Sequence, residues 1–342
     1  MTHVRKHKKG SKRKRRGDPP PNPVFMRRAM EKHFTDIERL VEDKRFGSIE
    51  DMNAYVQQFM GPGRSIPPPE RELTPVERAQ DVMFTAWEEP YRRKRIALAR
   101  RALKISKDCA DAHVLLAEES ARDLEEAKEI YAKGVVAGKR VLGEELFAEV
   151  EAEGRFWSKS GTRPYMRARL GLAVTLWELG EREAALDHYR ALLELNPDDN
   201  QGVRHLLLGA LLEAGSDDEA GELLDRHDEG SAFWLYGRAL WTFRREGAGR
   251  RANARLKEAL RANPFVPLYL LGLRPIPGTL PDSIGIGDES EAVSYVADAH
   301  GGWVETEGSL EWFAKRLSGS LDTWKRDVMR TLRPGDMLPR DG

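Results

Sequence analysis

The sequence predicts an all-α fold: a solenoid of helical hairpins of the tetratricopeptide type, with a short helical cap at its C-terminal end. Three observations predict it. Apolar residues recur at helical spacing from about residue 74 to residue 265. Strand-like alternation is absent from that stretch, and an order of small and large residues returns about every 34 positions. The chain has 342 residues, 40% of them apolar and 33% charged, which suits an extended array with a charged surface.

The first 23 residues are predicted to be a disordered basic arm followed by a Pro-rich spacer. Residues 1–16 hold nine Lys or Arg and no acid, and they lack apolar residues to offset the entropy of ordering. Removing these nine from the 56 basic residues leaves 47 against 56 acids, so the rest of the chain carries a net charge of about −9. A cationic arm is therefore attached to an acidic body.

The arm has several possible targets: a nucleic acid or ribosome, an anionic membrane, the acidic body itself, or none if it is a plain solubilising tail. Nine cations could neutralise several phosphates and give salt-sensitive affinity without sequence specificity. The candidate polyanion-binding residues are Arg5, Lys6, Lys8, Lys9, Lys12, Arg13, Lys14, Arg15 and Arg16.

Residues 24–60 are predicted to form a short unit of two helices, the second capped by Ser48. Two helices bury little apolar surface, so we expect this unit to dock on something. A linker over 61–73 follows. Thr74 and Glu77 then form a capping-box pair around a proline at the first helical position, which marks the start of the repeats.

The repeats are predicted to occupy residues 74–265. The clearest copy spans 165–199, in which the first helix reads large, small, large and the second reads small, large, large. Its positions are, in order, Leu172, Ala173, Leu176, Ala185, Tyr189 and Leu192. Related copies precede and follow it, and residues 138–165 interrupt the period as an extra helix and a loop. Residues 266–342 are expected to hold a Gly/Pro loop, capping helices and a frayed tail.

Two stretches resemble the suppressor of tumorigenicity seven family, a tetratricopeptide-like group. One is DCADAHVLLAEESARDLEEAKEIYAKGVVAG at 108–138, and the other is GDESEAVSYVADAHGGWVETEGSLEWF at 287–313. The resemblance covers roughly residues 80–315. The family has no established catalytic residues, so the resemblance implies none here. Its animal members are described as membrane-associated, whereas no run of this chain approaches the roughly 18–20 apolar residues of a spanning helix.

The chain lacks the motifs that carry common enzyme chemistry. It has no HExxH, no paired CxxC, no nucleophile elbow and no complete phosphate loop. Cys109 is its one cysteine, so no internal disulfide can form and the fold does not require an oxidising compartment. We therefore expect no enzymatic activity, no cofactor and no metal ion, and we expect a cytoplasmic protein.

The first helix of each tetratricopeptide unit lines the concave face, which predicts a groove for a segment of an unknown partner protein or peptide. Tryptophan and arginine are frequent anchors in such interfaces. The candidates are Glu118, Arg122, Arg167, Trp177, Glu178, His205, Leu212, Glu213, Trp234, Arg238 and Trp241. For each of them the alternative is that the side chain faces a neighbouring helix instead.

The sequence thus favours a non-enzymatic protein-interaction scaffold. The Lys and Asn pairs with which some arrays clamp a chaperone's terminal carboxylate are absent, so that kind of partner is not expected. The alternative hypothesis is a nucleic-acid- or ribosome-associated protein held by its basic arm.

Overall fold

The computed structural model describes residues 23–42, 44–61 and 64–318, with side chains described from residue 30 onward. Over these residues 73% are helical and none forms a strand. The helices are α1 (Pro23–Glu42), α2 (Ile49–Gln57), α3 (Pro75–Glu88), α4 (Arg92–Ile105), α5 (Ala110–Ser120), α6 (Leu124–Glu153), α7 (Arg163–Glu178), α8 (Arg182–Leu195), α9 (Val203–Ala214), α10 (Asp217–Arg226), α11 (Ala232–Glu246), α12 (Arg250–Ala262), α13 (Val266–Leu270), α14 (Glu289–Val304) and α15 (Ser309–Ser318).

Five helical hairpins build the array. They are α3 with α4, α5 with α6, α7 with α8, α9 with α10, and α11 with α12. The first helices of successive hairpins also touch, since α5 packs on α7 and α9 packs on α11. The helices after the last hairpin turn back, and α14 packs on the repeats. The prediction of an all-α solenoid of hairpins with a helical C-terminal cap is confirmed.

The predicted start signals work as expected. Ser48 caps α2 by accepting a hydrogen bond from the Asp51 amide at 3.1 Å. At the start of α3 the hydroxyl of Thr74 accepts from the Glu77 amide, and the Glu77 carboxylate accepts from the Thr74 amide. Both caps satisfy backbone donors that a helix leaves unpaired at its first turn.

The interruption over 138–165 holds a second helical segment followed by a loop. The range given for α6 contains two helical segments, which meet at Gly143, where φ is 67° and ψ is 170°. Two short 3₁₀ turns, Phe156–Ser158 and Ser160–Thr162, then lead into α7. Glycine tolerates the left-handed φ that this break needs.

Two predictions lie outside the described residues: the disordered basic arm with its polyanion-binding residues, and the frayed tail beyond residue 318.

Candidate binding surface

The inner face of the array, formed by the first helices α3, α5, α7, α9 and α11, carries two further helices of the same chain. At the N-terminal end α1 packs on α3, and at the C-terminal end α14 packs on α9 and α11. The first helix of the two-helix unit that the sequence left without a partner therefore docks on the repeats themselves, and α2 packs on α1.

A buried ion-pair network fastens α1. The Arg167 guanidinium on α7 donates to Asp111 on α5 at 2.6 and 2.8 Å, and to Glu31 on α1 at 2.8 and 3.0 Å. Gln80 on α3 also donates to Asp111, at 2.8 Å. Burial alone lowers the pKa of Arg167, but the two carboxylates more than offset it and the pKa is raised. Side chains of four helices therefore meet around Arg167. The sequence analysis had placed this arginine in an open groove.

The other end of α1 is held by side chains of α3 and of the turn before α7. Arg39 donates to Asp81 at 2.9 Å, and Glu38 accepts from the Ser160 amide at 3.1 Å. Between α1, α3 and the break in α6 lies a cavity of about 480 Å³. Its apolar lining includes Phe84.

Glycines let α14 approach the inner face closely. A Cβ added to Gly209 on α9 would lie 3.0 Å from the carbonyl oxygen of Asp298, and one added to Gly302 would lie 3.3 Å from the Leu212 Cβ. The Tyr295 ring on α14 lies 5.6 Å from that of Phe233, measured between centroids. The two helices therefore pack closely, without intervening side chains on the glycine side.

Glu291 ties α14 to the last repeat. Its buried carboxylate accepts hydrogen bonds from the Ala232 amide at 2.8 Å, the Gly287 amide at 2.8 Å and the Asn263 side chain at 2.9 Å. Asp288 alone caps α14. The spacing of Asp288 and Glu291 is that of a capping box, but Glu291 caps the start of α11 instead of accepting from its own N-cap amide.

Asp298 is an acid of α14 whose pKa changes in this packing. Burial raises the pKa of its carboxyl to about 6, and the nearby charge of His205 opposes that rise.

The structure divides the predicted groove residues by exposure. The buried ones are Arg167, Leu212 and Trp234; the half-buried ones are Trp177, His205, Glu213, Arg238 and Trp241; the exposed ones are Glu118, Arg122 and Glu178.

On α11 the residues predicted to line the groove do not face it. The residues that face it lie about one position away along the helix. Trp234 is 1% exposed and its indole nitrogen donates to the His227 carbonyl at 2.9 Å. Trp241 donates to the Asp217 carbonyl at 2.7 Å, and Arg238 pairs with Asp225 at 3.0 Å. All three residues therefore point toward α10 and the loop after it. The inner face of α11 presents other residues, such as Phe233 and Tyr236, to α14.

On α9 the predicted residues lie on the side that α14 covers. Leu212 is 2% exposed beneath Gly302. His205 stacks on Phe233 at 4.6 Å and its Nε2 lies 2.6 Å from Glu229. These residues serve packing within the chain, so Leu212 and His205 do not line an open groove.

One part of the predicted groove stays accessible, and we call it the open stretch: Glu118, Arg122, Trp177 and Glu178, near the C-terminal ends of α5 and α7. Arg182 lies over the half-buried Trp177 ring at 5.2 Å. The same arginine pairs with Glu213 at 2.7 Å, so Glu213 borders the open stretch. Arg122 pairs with Glu126 at 2.8 Å.

Sequence reasoning missed Glu31, Asp111, Glu291 and Tyr295, which hold the inner face together. Asp111 carried a signal in the sequence, because it stands among apolar residues at the start of α5, and an acid on a buried helix face requires a buried partner. A second signal was the expectation that residues 24–60 dock on something, because that docking requires contact residues on α1, such as Glu31.

Over residues 23–42, 44–61 and 64–318, no group of three or more His, Cys, Asp or Glu side chains is placed to hold a metal ion. Nor is any helix in that part of the chain long and apolar enough to cross a membrane.

Known proteins match most of this sequence. The family model described as ST7 protein matches residues 71–324. A human relative, suppressor of tumorigenicity 7 protein-like, is 28% identical over an alignment of 252 residues that covers 67% of this chain and 43% of the relative. The ST7 homolog of Drosophila melanogaster is 26% identical over an alignment of 254 residues that covers 67% of this chain and 47% of the homolog. The chain thus matches less than half the length of these relatives. The matched region runs from the linker before α3 through α15, and the chain belongs to the ST7 protein family.

Proposed function

We propose that the chain is a non-enzymatic scaffold that binds a segment of a partner protein at the open stretch. One observation supports this most: the inner face already holds two helices of its own chain, α1 and α14, by packing and buried polar contacts. A face that holds helices at both ends, with a half-buried tryptophan between them, suits a further segment of similar kind. Cytoplasmic location belongs to the same proposal.

The chemistry of the open stretch favours an amphipathic segment. Trp177 offers an aromatic surface of the kind that anchors interfaces. Glu118 and Glu178 are exposed carboxylates on the neighbouring helices α5 and α7. A partner that places an apolar side chain on Trp177 and a Lys or Arg beside the carboxylates would match the surface.

The test compares two tryptophan variants of the full chain. Trp177→Ala removes the proposed anchor. Trp157→Ala is a matched control, since Trp157 is also half-buried and Arg163 lies over its ring at 5.3 Å, away from the open stretch. Proteins cross-linked and captured by the unmodified chain and by the control should be lost from Trp177→Ala, with similar thermal melts for both variants. Equal capture by both variants would contradict the proposal.

The second hypothesis, contact of the basic arm with a nucleic acid or the ribosome, concerns residues outside the described part. A chain that begins after Asn22 should keep its helical content and lose most salt-sensitive binding to RNA, if the arm supplies that binding.

A further inference from the structure

Helix α4 has an unusual charge composition. Its sequence, RRKRIALARRALKI, holds seven Lys or Arg in 14 residues and no acid. Its apolar side is used up inside the array, where Ala99 and Ala102 are fully buried against the neighbouring helices α3 and α5. The basic residues must therefore lie on the remaining faces.

Three of the cations form a nearly straight line along the outer face. Arg93, Arg100 and Lys104 are exposed, and separations of 7 and 11 positions place the second and third within about 20° of the first around the helix. The line is about 16 Å long at 1.5 Å per residue. Arg101 is exposed beside it, and Lys107 continues it past the helix end.

These five cations form no ion pair with any described residue, unlike others on α4. Arg95 pairs with Glu119 at 2.7 Å, and Lys94 lies 3.6 Å from Glu89. Only part of the positive charge of α4 is therefore compensated by its surroundings.

The charge costs helix stability. The first turn of α4 holds cations and no acid, so they oppose the helix dipole, and its N-cap residue Tyr91 makes no side-chain cap. Arg100 and Lys104 are like charges four positions apart, which destabilise a helix. No acid of the described chain pairs with these two cations to offset the repulsion. The unpaired positive surface therefore suggests an anionic ligand outside the chain.

We propose that this outer face of α4 binds the phosphate backbone of a nucleic acid. Cations placed two turns and then one turn apart on one helix face can contact a line of phosphates, and a guanidinium group can donate two hydrogen bonds to phosphate oxygens. Lys107 also lines a shallow cleft with Lys133 of α6, but Glu129 lies in the same cleft, 4.0 Å from Lys133, so the uncompensated charge stays on α4 and Lys107. No aromatic residue of α4 interrupts the line, so the contact reads no base sequence.

A nucleic acid fits this face better than a membrane. An interfacial helix inserts its apolar side between lipids, but the apolar side of α4 is buried in the array. The site shares no residue with the open stretch or with the basic arm, so it can be tested independently of the proposed scaffold function.

The chain offers a closely matched control for a charge experiment. Arg250, Lys257 and Arg261 on α12 have the same spacing as Arg93, Arg100 and Lys104 and are also exposed. The two helices differ in total charge: α4 holds seven cations and no acid, whereas α12 holds five cations and one acid, Glu258, which pairs with Arg255 at 3.0 Å. One variant carries Gln at Arg93, Arg100 and Lys104 of α4, and the other carries Gln at Arg250, Lys257 and Arg261 of α12. Each variant removes three positive charges at the same spacing from the second helix of a hairpin.

Binding of the full-length chain and both variants to a fluorescent 20-nucleotide oligouridine is measured against salt. We expect the slope of log K against log salt to fall by about 2 for the α4 variant, at roughly 0.7 for each phosphate that is no longer neutralised, and to stay unchanged for the α12 variant. The α4 variant should melt at the same temperature as the unmodified chain or higher, because repulsion within the helix is removed.

The proposal would be overturned by an equal loss of binding in both variants, which would indicate net charge alone, or by no RNA binding of the unmodified chain at low salt. Vesicles containing phosphatidylserine and polyglutamate are tested in parallel. If the α4 variant kept its RNA binding and lost binding to either of these, the ligand would belong to that other class and the proposal would be wrong.

Discussion

Arg167 lies where α1, α3, α5 and α7 meet, and its guanidinium donates to both Glu31 and Asp111 at hydrogen-bond distance. Buried charges of this kind require their partners, because a carboxylate left alone in the interior loses its hydration without replacement. The residue therefore serves the assembly of the inner face, whereas a sequence pattern alone places it in a binding groove.

Arg167→Ala should destabilise the chain by about 3–5 kcal/mol, since it leaves two buried carboxylates without their cation. Urea unfolding measures the loss. Arg122→Ala is the control, because Arg122 is exposed and its pair with Glu126 lies in solvent. A loss for Arg167→Ala no larger than that of the control would show that the network contributes little to the docking of α1.

Asp298 gives a prediction about pH. Its pKa is about 6 in the folded protein because of burial, and about 3.9 when unfolded. Between these values the folded chain holds a proton that the unfolded chain has lost, so this group makes stability fall as pH rises from about 4 to about 6. The Asp298→Asn variant cannot ionise at this position. Its free energy of unfolding, relative to that of the unmodified chain, should therefore rise by about 3 kcal/mol between about pH 4 and about pH 7.5. Urea titrations at both pH values measure it, and a gain independent of pH would contradict the assignment.

At the scale of the helices, local signals were sufficient for boundaries but not for docking. The caps at Ser48 and Thr74 are contacts between near neighbours, so the sequence shows them directly. The contact between Glu31 and Arg167 joins residues 136 positions apart and has no local signature. The packing of α14 on α9 likewise has no local signature, and it covers the side of α9 that carries Leu212.

The close packing of α9 and α14 can be tested at Gly209. Gly209→Leu places a side chain where the Asp298 backbone lies, and should cost on the order of 1–3 kcal/mol by forcing the helices apart. Ala214→Leu on the same helix is the control, since Ala214 is exposed at its last turn. If both variants were equally stable in urea, α14 would not pack on α9 as described.

At the scale of the molecule, the described chain is a solenoid that fills much of its own inner face. Its helices α1 and α14 occupy the two ends, and the open stretch around Trp177 lies near the C-terminal ends of α5 and α7. The outer side carries separate charge, most clearly on α4. An inner surface for a protein segment and an outer surface for a polyanion would then operate on opposite sides of the same repeats.

Amide hydrogen exchange of the full chain tests the central claim, that the inner face is covered by α14, most directly. If α14 is docked, its amides over Glu289–Val304 should exchange as slowly as those of α9, because both then open in one cooperative unit. Exchange of α14 within seconds while α9 remains protected would show that the helix is detached, and the inner face of α9 and α11 would then be open as the sequence alone predicted.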